Sequence, residues 1–230
     1  MTDTTMEQRL AQVQERIKQS CQAVGRNPDE VQILPVSKTF ADELIAQAQR
    51  LGLRRFGENR VQDLRARFEA FGPSELHWVM IGHTQTNKAR DIARYAHELQ
   101  SLDRLSLAEA LERRLQREGR ALDVLIQIKT AREESKFGLD PKDLPDFLQQ
   151  LKGFSTLRVR GLMTMATQTT DQEEIRRCFA VARQWRDRMQ EAGYEEVQRL
   201  SMGMSGDFEL AIAEGATEIR LGSAIFGPRA

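Results

Sequence analysis

The sequence predicts an α/β protein built as a single (β/α)8 TIM-type barrel with an additional N-terminal helix. Apolar runs of strand length alternate about eight times with helical segments, the order that a closed parallel barrel requires. No linker rich in Pro, Gly or Ser interrupts this order, and a length of 230 residues suits one core. We therefore assign residues 1–230 to one domain, with an open doubly wound sheet as the alternative fold.

The composition indicates a globular chain with a sizeable core. Hydrophobic residues make up 40% of the chain and charged residues 30%, which excludes disorder for most of it. The 34 basic and 34 acidic residues cancel, so no basic face indicates nucleic acid or anionic lipid as a partner. The sequence shows no signal peptide and no run of the ~18 apolar residues that a membrane helix needs. We expect a cytoplasmic protein without membrane contact.

An amphipathic helix is predicted at the start of the chain. Its apolar positions recur at steps of three and four, and Gly25 and the following Asn27-Pro28 pair end it. These positions are Met6, Leu10, Val13, Ile17, Cys21 and Val24. Cys21 and Cys178 both lie at apolar helix positions without a CxxC spacing, which favours buried thiols over a disulfide or a metal site.

Eight apolar runs bounded by polar or Gly-containing corners are predicted as strands. They cover residues 31–37, 54–58, 77–82, 97–102, 124–129, 158–165, 197–204 and 218–226. Helical segments are predicted between them, for example at 41–51, at 107–117 and along the amphipathic stretch 175–189. The second of these is expected to begin with a capping box formed by Ser106 and Glu109.

Small residues dominate the corners that follow the last two predicted strands. In a parallel barrel the corners after the strands form one rim, where barrel enzymes hold their sites. Residues 203–206 (GMSG) and the Gly222-Ser223 pair would let backbone N–H groups approach an oxyanion. A helix opening at Asp207-Phe208 would add a partial positive charge. A phosphate site and simple tight turns both remain open as interpretations.

Lys38 ends the first apolar strand, so its amine is expected at the rim. Desolvation disfavours the ammonium form, and the neutral amine is the form that condenses with an aldehyde. The alternative is a lysine whose amine simply reaches water, which is the more common arrangement. An amine that faces a phosphate site across one rim would suit a phosphorylated aldehyde.

Arg220 lies on the last predicted strand, and alternation places it on the same face as Gly222. A charge that points into a barrel needs a partner. A buried carboxylate such as Glu58 and a ligand heteroatom are the two alternatives, and the sequence leaves both open.

Several other classes of site lack their motifs. His77, His83 and His97 show no metal-ligand spacing, so no metal site is predicted, and only His83 falls on the rim. The chain contains no GxSxG, no Walker A sequence and no GxGxxG after a strand, which are the motifs of serine hydrolases, P-loop NTPases and dinucleotide-binding folds. The acidic pair at 133–134 is expected to face solvent.

Six segments occur in a characteristic order along the chain. They are ILPVSKT from Ile33, FGENRVQD from Phe56, IGHTQTNK from Ile81, ESKFGL from Glu134, RGLMTMA from Arg160 and SMGMSGDFELAIAEGATEIRLGSAIFG from Ser201. Together they resemble the pyridoxal phosphate homeostasis protein family, whose fold is similar to the N-terminal barrel of alanine racemase. The resemblance covers almost the whole chain.

This resemblance implies pyridoxal 5′-phosphate (PLP) as the cofactor. It implies that Lys38 carries PLP as a Schiff base, that Asn59 lies near the cofactor ring and that Arg220 faces the pyridine nitrogen. It also implies a phosphate cup made by Ser205, Gly222 and Ser223. Three positions depart from the family pattern and bear on the shape of the rim, namely Phe40, Arg60 and Thr84.

Binding of PLP need not imply turnover. A protonated ring nitrogen strengthens PLP as an electron sink, whereas Arg220 only donates, so its partner nitrogen would stay unprotonated. Racemases of this fold add a tyrosine from another domain as a second base. This chain ends soon after the last strand, and Tyr95 and Tyr194 are expected away from the rim.

We therefore expect a non-enzymatic protein of PLP homeostasis with no catalytic residues. One alternative is a PLP-dependent amino-acid racemase or lyase that uses Lys38 as its single base. The other is a barrel enzyme that acts on a phosphorylated metabolite without a Schiff base. The implied partners are PLP and apo PLP-dependent enzymes, and the absent second domain favours a monomer.

Overall fold

Eight parallel strands form the centre of the computed structural model, which describes residues 4–72, 74–131 and 137–228. The strands are β1 Gln32–Pro35, β2 Arg55–Glu58, β3 His77–Met80, β4 Glu98–Leu102, β5 Leu122–Gln127, β6 Leu157–Met163, β7 Arg199–Ser201 and β8 Glu218–Leu221. Their order in the sheet is β1-β8-β7-β6-β5-β4-β3-β2, and a parallel bridge between Val36 and Gly57 joins the two ends. The predicted (β/α)8 barrel is confirmed.

Helices follow the strands around the outside of the barrel. They are α1 Met6–Ala23, α2 Asp42–Arg50, α3 Val61–Phe71, α4 Ala89–Tyr95, α5 Leu105–Glu118, α6 Leu144–Leu151, α7 Gln172–Glu191, α8 Phe208–Ala213 and α9 Ser223–Phe226. Short 3₁₀ turns lie at Pro28–Glu30, Thr86–Lys88 and Pro141–Asp143. Their apolar faces and the strands share one hydrophobic core.

The additional N-terminal helix α1 packs against α8 and α9. Thr5 and Gln8 form a reciprocal capping box at its start. The predicted apolar positions are buried from Met6 to Cys21, whereas Val24 lies past the helix end and is exposed. Both cysteines are buried free thiols, as predicted.

Two local predictions are wrong. The eighth apolar run does not continue as a strand to Phe226, because the chain bends at Gly222 and residues 223–226 form α9. The amides of Ile225 and Phe226 donate to the Gly222 carbonyl, and this closes a helical turn. The capping box at Ser106 is also absent, since α5 begins at Leu105, two residues before the predicted start, with Arg104 as its N-cap.

The base of the barrel interior contains four paired charges. The guanidinium groups of Arg55 and Arg199 each contact the carboxylates of both Glu98 and Glu218, at N–O distances of 2.7–2.9 Å. Gln100 donates to both carboxylates from inside the barrel. This closed arrangement satisfies charges that would be costly to bury alone.

Glu112 on α5 connects the helix layer to the turn before β6. Its carboxylate accepts hydrogen bonds from the backbone amides and hydroxyl groups of Ser155 and Thr156 and from the Gln116 amide. Burial alone would raise the pKa of the Glu112 carboxyl, but the hydrogen bonds from Thr156 and Ser155 outweigh burial and hold the pKa below its ordinary value. Ionised Glu112 therefore stabilises the fold.

We expect Glu112→Gln to lower the free energy of unfolding at pH 7 by about 1–3 kcal/mol, because it weakens a cluster of charge-assisted hydrogen bonds. The folded pKa lies below the unfolded one, so the contribution is present above about pH 4 and is lost as the pH falls through the folded pKa. Urea denaturation at several pH values measures the difference. Exposed Glu109 on the same helix provides the control variant Glu109→Gln, and equal stability of the two variants at pH 7 would contradict the prediction.

Candidate functional site

A cavity of about 560 Å³ opens at the carboxyl end of the strands, and we refer to it as the rim cavity. All six residues that the sequence assigned to cofactor binding line it, namely Lys38, Asn59, Ser205, Arg220, Gly222 and Ser223. Eleven further described residues line it, among them Gln127, Phe137, Met163 and Met165, which were not singled out from the sequence. Gln127 is a polar residue directly after the apolar run 124–126 of its strand, a signal similar to the one that singled out Lys38, and it could have been found in that way.

Lys38 lies in a tight turn directly after β1. The Phe40 amide donates to the Ser37 carbonyl at 3.1 Å, so Lys38 and Thr39 are the central residues of this turn. Thr39 has a φ of 67°, which is the left-handed region. The Lys38 side chain is half-buried and reaches the rim cavity. The turn therefore presents the amine at the mouth of the barrel.

Arg220 is a buried cation in the wall of the rim cavity. Its guanidinium donates to Ser201 Oγ at 2.9 Å and to the Thr164 carbonyl at 2.8 Å. Burial lowers the pKa of Arg220 to about 10, although the carboxylates of Glu218 and Asp207 oppose this shift. Arg220 therefore stays protonated at pH 7.

Glu58 pairs with Arg67 and is not the carboxylate that balances Arg220, a role that falls to Glu218 and Asp207. The Glu58 carboxylate accepts from Ser37 Oγ at 2.7 Å and contacts Arg67 Nε at 3.4 Å. Burial raises the pKa of Glu58, and its contacts with Ser37 and Arg67 only partly offset this. It lies beneath the Lys38 turn and does not line the rim cavity.

Backbone donors are available at both glycine-containing corners. The Met204 amide donates to Asp207 Oδ1 at 2.6 Å, and the amides of Asp207 and Phe208 donate to the Met204 carbonyl. Within the described part of the chain, the amides of Ser205 and Ser223 donate to no protein acceptor. Ser205 is partly buried and Ser223 is exposed, so both N–H groups are available to an anion in the rim cavity.

His83 lies at the mouth of the rim cavity. Its Nδ1 is 3.4 Å from Asp103 Oδ2, and its ring stacks on Phe137 with centroids 3.7 Å apart. Asp103 also pairs with Arg104, whose guanidinium donates to the Thr84 carbonyl. These contacts join the corner after β3 to the segment after β5.

The three departures from the family pattern occupy different environments. Phe40 is buried and stacks on Phe226 with ring centroids 4.8 Å apart. Arg60 is exposed and lines the rim cavity, whereas Thr84 is buried and donates to the Gly82 carbonyl at 3.3 Å. Only Arg60 therefore changes the chemistry of the cavity itself.

Other candidate groups lie away from the rim cavity. Tyr95 ends α4 and Tyr194 follows α7, and neither lines the cavity. Across residues 4–72, 74–131 and 137–228, no three His, Cys, Asp or Glu side chains are grouped as metal ligands. No helix in these ranges is long and apolar enough to cross a membrane. The acidic pair at 133–134 lies outside the described residues.

Comparison with known proteins shows first which family of barrel proteins the chain belongs to. The model of the family "Alanine racemase, N-terminal domain" matches residues 9–230, and the chain belongs to this family. An alanine racemase from Clostridium difficile has a similar fold, with a TM-score of 0.78 at 14% identity over 97% of this chain and 56% of the racemase.

Closer relatives identify the branch of that family. The pyridoxal phosphate homeostasis protein of Aquifex aeolicus is 37% identical to this chain, and the match covers 96% of this chain and 97% of that protein. The Escherichia coli K12 protein of the same name is 39% identical, and the match covers 96% of this chain and 95% of that protein. The structure of PipY from Synechococcus elongatus with PLP bound has a TM-score of 0.81 at 36% identity, over 94% of this chain and all of PipY. The chain belongs to the pyridoxal phosphate homeostasis protein family, which confirms the resemblance noted in the sequence.

The corner after β7 contains a glycine whose substitution by any other residue would destabilise the fold. Gly203 has a φ of 91°, and an added Cβ would lie 2.6 Å from the Cβ of Ala211. We expect Gly203→Ala to lower the free energy of unfolding by about 2–4 kcal/mol through backbone strain and overpacking.

Gly206 in the same corner provides the control, because an added Cβ there would meet nothing within 4 Å. Gly206→Ala should change stability by less than about 0.5 kcal/mol. Thermal or urea unfolding compares the two variants, and similar stability losses would show that Gly203 is not constrained in this way.

Proposed function

We propose that this chain binds PLP in the rim cavity, holds it as a Schiff base on Lys38 and acts in PLP homeostasis. One observation carries the proposal: the Lys38 amine, the buried cation Arg220 and the two corners with available amides line the same cavity. The name of the relatives and the PLP-bound structure of PipY support it.

The residues present fit the chemistry of PLP. The rim cavity lies within the range of roughly 300–1,000 Å³ that small ligands occupy. A primary amine suits the aldehyde, and backbone donors near Ser205 and Ser223 suit the phosphate. Met163, Met165 and Ile81 provide apolar surface for an aromatic ring.

Bound PLP supplies an electrophilic aldehyde and an electron sink. Lys38 would supply the primary amine that condenses with the aldehyde, with release of one water molecule. The corners at Ser205 and at Gly222-Ser223 would hold the phosphate through backbone amides. Arg220 would face the ring nitrogen and, as a cation that only donates, would keep that nitrogen unprotonated.

The proposed role is non-enzymatic, since an unprotonated ring nitrogen makes a weak electron sink. A PLP-dependent racemase or lyase is the second candidate. The observation that favours it is His83 at the mouth of the cavity, because an imidazole next to a carboxylate can transfer protons. His83 Nδ1 lies 3.4 Å from Asp103 Oδ2, with no hydrogen bond between them.

Amino acids incubated with the PLP-loaded protein in deuterated water separate these two functions. We expect no exchange of the Cα proton above the rate given by free PLP, as measured by NMR. Rapid exchange that disappears in His83→Ala would establish the enzymatic function instead.

Lys38→Ala should abolish covalent PLP binding. The wild-type protein with PLP should show the absorbance band of a Schiff base near the edge of the visible range. Borohydride reduction followed by peptide mass spectrometry should then locate the pyridoxyl group on Lys38. The variant Lys142→Ala, which replaces an exposed lysine outside the cavity, should behave as the wild type. Reduced adduct spread over several surface lysines would refute a dedicated site.

We also propose that the protein is a single-domain cytoplasmic monomer and that it transfers PLP to apo PLP-dependent enzymes. Light scattering of the loaded protein tests the oligomeric state. Reactivation of an apo-enzyme by the loaded protein, compared with an equal concentration of free PLP, tests the transfer.

A further inference from the structure

We propose that Glu58 and Arg67 are positioning residues that clamp the Lys38 turn and thereby fix the amine relative to the rim cavity. This inference rests on the proposed function, and it assigns a role to two residues that do not line the cavity. The Lys38 turn comprises residues 37–40.

The Lys38 turn carries backbone strain that its surroundings must hold. Thr39 is the only non-glycine residue with a positive φ in the described part of the chain. A β-branched residue in the left-handed region costs about 1–3 kcal/mol and persists only where neighbouring contacts impose it. Within the turn, a single backbone hydrogen bond from Phe40 to Ser37 opposes this strain.

Contacts from β2 and α3 hold both ends of the turn. At its start, Ser37 donates through its amide to the Gly57 carbonyl at 3.1 Å and through its hydroxyl to Glu58. At its end, the Arg67 guanidinium donates to the Phe40 carbonyl and to Asp42 at the start of α2. Arg67 also contacts Glu58, so the two ends are joined through one ion pair.

The Glu58 side chain lowers the stability of the fold at this position. Its carboxylate is fully buried, and within the described residues its Oε2 has no hydrogen-bond partner. A partly satisfied buried carboxylate destabilises a fold relative to an apolar side chain of similar volume. The arrangement is therefore explained better by positioning of the turn than by stability.

The clamp also relates the amine to the proposed phosphate corner. The Phe40 ring, at the end of the turn, stacks on Phe226 at the end of α9. α9 begins at Ser223, which lines the rim cavity. A turn that is free to move would change the distance between the Lys38 amine and this corner, and a misplacement of about 1 Å can cost a hundredfold in reaction rate.

Two phosphorylated ligands separate positioning of the amine from general damage. PLP needs both the cavity and the Lys38 amine, whereas pyridoxine 5′-phosphate has the same ring and phosphate with an alcohol in place of the aldehyde. We expect Arg67→Met to weaken PLP binding about tenfold or more and to slow the appearance of the Schiff-base absorbance. Affinity for pyridoxine 5′-phosphate should change less than about threefold, which is about 0.6 kcal/mol.

Arg65→Met is the matched control, because Arg65 lies on the same helix, is exposed and pairs only with Glu69 among described carboxylates. It should leave both affinities unchanged. Glu58→Gln keeps an acceptor for Ser37 but loses the charge that faces Arg67, so it should show a smaller loss that is again selective for PLP. This second variant decides the matter if Arg67→Met does not fold.

Equal losses for the two ligands, or no loss for either, would overturn the clamp. Failure of the wild-type protein to form a covalent PLP adduct would instead overturn the proposed function, so the two failures are distinguishable. Thermal unfolding of each variant completes the test, since a merely structural role would lower the melting temperature and both affinities together.

Discussion

Pairing of buried charges along the barrel axis is the constraint on which the rest of the structure depends. Arg55 and Arg199 are paired with Glu98 and Glu218 at the base, and Ser201 joins Glu218 to Arg220 above them. Each charge would be expensive to bury without its partner, so the relative heights of the strands that carry them are fixed. The orientation of Arg220 towards the rim cavity follows from this pairing.

Barrel closure then determines which corners can share a ligand. β1 pairs with β8, β8 pairs with β7, and the Val36–Gly57 bridge joins β1 to β2. The corners after β1, β2, β7 and β8 are consequently neighbours, although residues 38 and 222 are far apart in sequence. A lysine, a cation and two corners with available amides meet at one mouth because the strands are parallel and the sheet is closed.

Features set by local pattern could be predicted from the sequence, and those set by tertiary contacts could not. The strands, α1 and the meeting of the strand corners at one rim follow from apolar periodicity and barrel topology, whereas Asn59 was assigned to the site only through the family resemblance. The run 223–226 reads as strand because it is apolar, yet Gly222 bends the chain and α1 covers the helix that results. The contact between Glu58 and Arg67 has no local signal, since each residue is an ordinary charge in its own segment.

The proposed lack of turnover has a physical basis in how Arg220 is held. Ser201 and the Thr164 carbonyl fix the guanidinium in a buried wall, where its pKa of about 10 still leaves it charged. A fixed cation favours a ring nitrogen without a proton, because two adjacent buried positive charges would repel each other strongly. In the proposed function, the contact between Arg220 and the ring nitrogen also favours release of PLP. A cofactor that withdraws electrons weakly remains a reversible conjugate of Lys38, and hydrolysis of that conjugate returns PLP unchanged.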